Sequence, residues 1–313
     1  MLVEYENSGA HKEIITFRNK SDANSFSKMS LQNIDAIESL RKLGYEAEAR
    51  KVIINTVIMA MVSDFLHHIF EALKCLEKRK YIVACNLLRK PMLDSSVYLS
   101  WILGDEDDFF IKFRESSPDS LTPRKIGNRR LEIFRLSIEK SGVSDLIDAE
   151  TVHEWTFDSN NPNGMYRIFQ HAVHLITVDR IQLKTSTENF NFIFKNPSDD
   201  DIYEEIYRYI PYMMLFMSGI IVELFDKMKS MDSLSKRAFI TRSRYGYYLL
   251  SDNIRQVTLI SAFTEILGPI IRCFSCSRPI KITKHNLARI ILTDSFRCTH
   301  CSRTNELAFS WSL

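Results

Sequence analysis

The chain has 313 residues, 45% hydrophobic and 26% charged, a globular composition that can bury a sizeable core. Its nine glycines and eight prolines are too few for the many tight turns of a β-sandwich or a doubly wound sheet, so long helices are the expected use of this length. The formal charge of +2 points to no partner by itself, but from Arg272 onward there are seven basic and two acidic side chains, a net of +5 that leaves −3 for the remainder.

The opening MLVEYENSGAHKE lacks the charged-then-apolar pattern of a secretion signal. Residues 1–28 are polar with little periodicity and predict a loose start or a peripheral helix. Ile34, Ile37, Leu40 and Leu43, spaced by threes, predict an amphipathic helix over about 33–43. Residues 47–78 predict one long helix rich in Ala, Val, Ile and Met, interrupted by Asp64, His67, His68 and Glu71. A second long helix is predicted over 81–103, with a kink at Pro91, which has no backbone N–H to donate. The acidic GDEDD at 104–108 ends it, and shorter helices follow over 109–150 around the loop SSPDSLTPRKIGN.

SNNPNG at 159–164 is the strongest turn signal and precedes a helix at about 165–177. The stretch 189–201 predicts a short extended piece and a turn, with Phe190, Phe192 and Phe194 at strand spacing. A long helix is expected over 201–230. Its apolar run from Ile210 to Val222 is shorter than the roughly 20 residues of a membrane span and is closed by Glu223 and Asp226, so it reads as a core helix. Residues 231–251 mix Lys236, Arg237, Arg242 and Arg244 with Tyr245, Tyr247 and Tyr248 and predict no single element. A last helix over 252–267 leads to Gly268 and Pro269, the expected boundary between a helical domain (1–268) and a small one (269–313). The fold class is therefore mainly α: a multi-helix bundle with a small C-terminal β module.

The small domain carries Cys273, Cys276, Cys298 and Cys301 as two Cys-x-x-Cys pairs separated by 21 residues. Four thiolates in a tetrahedron are a set that zinc prefers, and each Cys-x-x-Cys turn places two sulfurs on one side of an ion. Pro279–Thr283 and Ala288–Thr293 read as strands, and the terminal NELAFSWSL as a third. This arrangement resembles the zinc ribbon, with Ser277 and Ser302 standing where ribbons usually have a glycine, which predicts strained turns. One structural Zn2+ per chain is expected. Cys75 and Cys85 read as buried thiols, and the cysteine usage as a whole suits a reducing compartment, the cytoplasm. The positive charge, with Phe274, Phe296 and Trp311 to stack or pack, suits nucleic acid. A ribbon that contacts a protein or caps the bundle is the alternative.

In the helical domain, NPNGMYRIFQHAVHLI places Arg167, His171 and His174 on one face of the helix expected from about Met165, at roughly 100° per residue. A guanidinium can grip a phosphodiester in a fork and a nearby imidazole can move a proton, which is sufficient for metal-free RNA cleavage through the 2′-hydroxyl. The spacing Arg-x6-His at a helix start resembles the motif of HEPN-family helical bundles, many of which are ribonucleases of toxin, abortive-infection and CRISPR systems. The likeness extends to residues 82–103, where Leu87, Leu88, Arg89 and Asp94 match the long helix of a bacterial branch; Ile168 replaces the polar residue usual after the motif arginine. The resemblance implies a bundle core at about 47–230, a homodimer with facing sites, and convergence of Arg89, Asp94, Arg167 and His174 at one polar site. His171 would assist.

Two readings follow: a metal-independent endoribonuclease of an antiviral-defence or toxin type acting on RNA, and a non-enzymatic scaffold whose ribbon binds nucleic acid or a protein partner. Neither requires a membrane. Arg89 with Asp94 also reads as a purely structural ion pair, and each histidine as a satisfied core residue. No phosphate-cradling glycine loop or serine nucleophile elbow is present.

Overall fold

The computed structural model describes residues 2–9, 12, 15–115, 117–161, 164–174, 176, 185, 187, 199–251 and 255–307. It is mainly helical, with one two-stranded antiparallel sheet near the C-terminus beside the cysteine cluster. Three helices, α1 (Leu2–Asn7), α2 (Lys20–Leu31) and α3 (Ala36–Lys42), lead to α4 (Glu46–Glu77). On α4 the buried Ile54, Ile58, Val62, Phe65, Ile69, Ala72 and Leu76 recur every three or four residues, which makes it one wall of the bundle.

The predicted second helix is continuous in path but changes hydrogen-bonding pattern. It runs as α5 (Tyr81–Arg89), a π-helical segment (Lys90–Ser95) and α6 (Ser96–Gly104). Pro91 cannot donate to the carbonyl four residues back, and the widened π turn absorbs that loss instead of ending the helix. Next come α7 (Glu106–Glu115), α8 (Pro123–Ile126), α9 (Arg130–Lys140) and α10 (Ala149–Phe157), with short 3₁₀ turns on either side of α8. At Gly104 a Cβ would lie 3.0 Å from that of Leu136 and 3.2 Å from the Ser137 amide, so the absence of a side chain sets the close approach of α6 to α9.

The next helix, α11 (Met165–Val173), is shorter than the predicted 165–177. It is followed by α12 (Asp199–Met228), the central helix, whose Tyr209, Met213, Phe216, Met217, Ile220, Leu224 and Phe225 are all buried. Most of the predicted extended piece at 189–201, with Phe190, Phe192 and Phe194, lies outside the described residues. Two helices among the described residues, α4 and residues 200–228 of α12, are long and apolar enough to cross a membrane by length and composition; 39% of the apolar 18-residue window in α4 and 67% of that in α12 is buried inside the protein.

The stretch with no predicted element forms α13 (Ser233–Leu250), capped by the Asp232 side chain, which accepts from the Ser235 amide. Its tyrosines pack: Tyr248 and Leu249 are buried, and the Tyr247 ring meets that of Tyr212. Lys236 ties α13 to α12 by ion pairs to Glu223 and Asp226, each at 2.7 Å. After α14 (Arg255–Leu267) come α15 (Lys284–Thr293) and the strands β1 (Ser295–Arg297) and β2 (Thr304–Glu306).

In the tail the structure corrects two predicted strands. Ala288–Thr293 is helical, because Leu287, Ala288, Ile290 and Ile291 line one buried helical face and Thr283 caps the helix by accepting from the Asn286 amide. Pro279–Thr283 contributes only an isolated bridge between Pro279 and Arg272. Of NELAFSWSL, Asn305 and Glu306 lie in β2, while 308–313, with Trp311, lie outside the described residues.

Candidate functional site

The four predicted ligands come together. The sulfurs of Cys273, Cys276, Cys298 and Cys301 all lie within 4.8 Å of one another. Cys273 Sγ is 3.6 Å from Cys301 Sγ, and Cys276 Sγ is 3.7 Å from Cys298 Sγ. A tetrahedral ion with metal–sulfur bonds of about 2.3 Å separates its sulfurs by about 3.8 Å, so the donor set fits a metal ion such as zinc.

Each Cys-x-x-Cys turn is built from its own backbone. The Cys273 amide donates to Arg278 O at 2.9 Å and the Ser277 amide to Cys273 O at 2.8 Å. In the second turn the Cys298 amide donates to Arg303 O at 2.9 Å and the Ser302 amide to Cys298 O at 3.0 Å. The chain leaves the turns through Ser277 at φ 59° and Ser302 at φ 58°, the left-handed region where glycine is at ease. Amides also point at the sulfurs: Ser275 N lies 3.4 Å from Cys273 Sγ, and His300 N 3.4 Å from Cys298 Sγ. Burial raises the Cys273 pKa, but the Cys276 and Ser275 amides outweigh it and bring the thiol down to about 6. The Cys298 thiol is also lowered, chiefly by the Cys301 amide.

Two buried asparagines lock the unit. Asn305 Oδ1 accepts from the Phe274 amide at 2.9 Å, which joins β2 to the first turn. Asn286 Oδ1 accepts from the Arg297 amide at 3.0 Å, which joins α15 to the second. The tail's apolar core extends back past Gly268 to Leu249 and Leu267, with Tyr245, Leu259, Ile260 and Phe263 packed against it. Arg242 on α13 donates from Nε to Ile291 O at 2.5 Å and pairs with Asp294 at 2.6 Å. The cysteine module thus shares a core with α13 and α14.

In the bundle, Arg89 ends α5, Asp94 lies in the π segment and Arg167 stands on α11, which packs against α5. Arg167 Nη2 pairs with Glu205 on α12 at 2.6 Å, with the side chains 16% and 25% exposed. Helix α11 ends at Val173, and His174 is its C-cap with extended backbone (φ −104°, ψ 134°). The helical face predicted to carry both Arg167 and His174 therefore does not extend to His174; His171 remains within α11.

Arg89 and Asp94 do share surroundings. The Asp94 carboxyl sits beside the π segment in a small pocket lined by Leu93, Val97, Tyr98, Pro123, Ile126 and Arg130. Burial raises its pKa, against the pull of Arg89, Arg130 and Lys90. Arg130 is in turn pulled down by burial while Asp94, Tyr166 and Tyr98 favour its charge. Burial and Arg130 also lower His153. The pocket itself is lined from the π segment, α6, α8 and α9.

No protein-family model, no curated protein and no solved structure matches this chain. Function must be read from the two sites themselves.

Sequence reasoning missed Arg130, Tyr98, Tyr166, His153 and Glu205, which stand at no recognisable spacing from Asp94 or Arg167. Asn286 and Asn305 were equally silent. Phe296, expected to be available for stacking, is fully buried, whereas Phe274 is 69% exposed.

Proposed function

We propose that this protein is a helical scaffold whose C-terminal module holds one structural zinc ion and serves as a contact surface for nucleic acid. The observation that carries this reading is the set of four sulfurs at tetrahedral spacing on two turns whose surroundings are basic and exposed. Four cysteine ligands complete the coordination of zinc and leave no position for water or substrate, so the ion would supply a cross-link and not a reaction centre. The chain's own residues do the rest: Asn286 and Asn305 orient the turns, and Arg272, Arg278, Lys281, Arg289, Arg297 and Arg303 are exposed around them. Four reduced thiols suit the cytoplasm. Metal analysis of the purified chain, combined with titration of labelled oligonucleotides, tests the reading. One zinc per chain and salt-sensitive binding are expected. A metal-free folded protein with no affinity for nucleic acid would overturn it.

A second reading, a metal-independent endoribonuclease of HEPN type acting as a homodimer, is favoured by one observation: Asp94 shares its surroundings with Arg89, Arg130 and Tyr166 at a π-helical turn. Segments of this kind recur at functional sites, and a raised carboxyl is suited to donating a proton. In this reading Arg167 leaves Glu205 to reach a phosphate, and His174 or His171 moves the proton. Incubation with RNA in EDTA decides it. Cleavage lost in His174→Ala and Asp94→Asn supports the nuclease, and no cleavage by the wild type removes it.

A further inference from the structure

The two halves of the cysteine centre repeat one another. Residues 272–278 read RCFSCSR and residues 297–303 read RCTHCSR. The backbone bonds of the two turns match within 0.2 Å, and the two serines match within 1° in φ. The repeat includes its arginines. Arg272 Nη1 donates to Ser277 O at 3.4 Å, and Arg297 Nε donates to Ser302 O at 3.2 Å. Each turn is thus flanked by two exposed guanidiniums, one of them steadied by the turn's own carbonyl.

A guanidinium has five N–H donors, so a single tether to a carbonyl leaves others for an anion. The acidic side chains nearby do little to cancel the charge, because Asp294 is already paired with Arg242, which leaves Glu306 on β2. Arg278 of the first turn meets His300 Nδ1 of the second at 3.1 Å, which links the two halves on the outer surface.

Beside these arginines stands Phe274, 69% exposed. It is not a loose side chain. Its ring packs edge-on against the buried Phe296, with centroids 6.0 Å apart, and its amide is held by Asn305. A fixed aromatic face in water, in a turn flanked by two guanidiniums and paired with a turn flanked by two more, fits a partner that offers flat rings and repeated negative charge together. An acidic peptide offers charge with no face to stack, and a duplex hides its base faces inside the helix. A single strand offers both.

We propose that the paired turns bind single-stranded nucleic acid, with Phe274 stacked on a base and Arg272, Arg278, Arg297 and Arg303 holding phosphates on either side of the cysteine centre. The proposal rests on the reading of that centre as metal-closed and names the ligand class it serves.

The test uses the full chain with its zinc content measured in parallel. Fluorescence anisotropy is followed with labelled 12-nucleotide oligo(U), oligo(dT) and a 12-base-pair duplex over a series of salt concentrations. Both single strands should bind more tightly than the duplex. Phe274→Ala should weaken single-strand binding about tenfold or more with the salt slope unchanged, and Phe274→Trp should retain it. Arg278→Ala and Arg303→Ala should each reduce the slope of log K against log salt by about 0.7. Equal affinity for the duplex, indifference to Phe274→Ala, or preference for polyglutamate over the oligonucleotides would overturn the proposal while zinc content stays at one per chain. A wild type that carries no zinc overturns the underlying reading, a different failure visible in the metal measurement alone.

Discussion

The guanidinium of Arg167 on α11 is held by the carboxylate of Glu205 on α12 at 2.6 Å, in a contact only partly open to water. This ties the short α11 to the central helix of the bundle. Among the described residues, the buried Arg167 Nε has no hydrogen-bond partner, and neither does Tyr209 OH on α12. Burial, with Glu205 next, pushes the Tyr209 hydroxyl up to about 12.

Removing one partner of such a pair strands the other. Arg167→Ala and Glu205→Ala should each cost about 1–3 kcal/mol of stability, less than a fully buried pair because both side chains reach solvent. Urea unfolding of both single variants and the double variant checks this; a coupling near zero would show that the pair does not hold the helices together. An Arg167 variant that lost RNA cleavage with unchanged stability would instead place the arginine in chemistry.

Metal removal should unfold the tail and spare the bundle. Binding of structural zinc contributes on the order of 10–16 kcal/mol of folding free energy in small modules. Cys298→Ser should therefore abolish zinc retention and expose 269–307 to protease, with the helical far-UV signal of the bundle largely kept. Because α13 and α14 share the tail's core, some helix should be lost as well. The thiols must ionise to bind metal, so retention should fall as pH falls. Full retention of zinc by Cys298→Ser would refute the four-sulfur assignment.

Ser277 and Ser302 sit in left-handed backbone that costs an L-residue roughly 1–2 kcal/mol. Replacement by glycine removes that cost and gives back part of it as chain entropy. Ser277→Gly and Ser302→Gly should each stabilise the module by about 0.5–1 kcal/mol, read as slower zinc loss to a competing chelator. A faster loss in both variants would show that the serine side chains contribute more than their backbone costs.

Asp94 should oppose folding at neutral pH. Burial, the first cause, raises its folded pKa above the ordinary carboxylate value, and it makes no hydrogen bond among the described residues. The folded state therefore holds the proton more tightly than the unfolded chain. The resulting stability is fully present below the ordinary carboxylate pKa of about 3.9 and is lost as pH rises through the raised folded value. Asp94→Asn cannot ionise, so its Tm should exceed that of the wild type at pH 7. The gap should close below about pH 4. A lower Tm for Asp94→Asn at pH 7 would mean that its pairing with Arg89 and Arg130 outweighs burial.

Much of this protein is fixed by local pattern. The long helices α4 and α12 were legible because apolar residues recurring every three or four positions admit one periodic structure. The four-cysteine cluster was legible because the chemistry of four thiols in two close pairs constrains geometry wherever the chain runs between them. Local pattern misled where two periods fit the same letters: the isoleucines of α15 read as a strand until the buried face and the Thr283 cap decided for a helix. At α13 a mixed surface of arginines and tyrosines hid a helix whose partners lie on α12 and in the tail. What surrounds a charge is not a local property at all. Arg167 finds Glu205 38 residues away, and Asp94 finds Arg130 on another helix; only the packing of helices decides which carboxylate a guanidinium meets and how much water is left beside it.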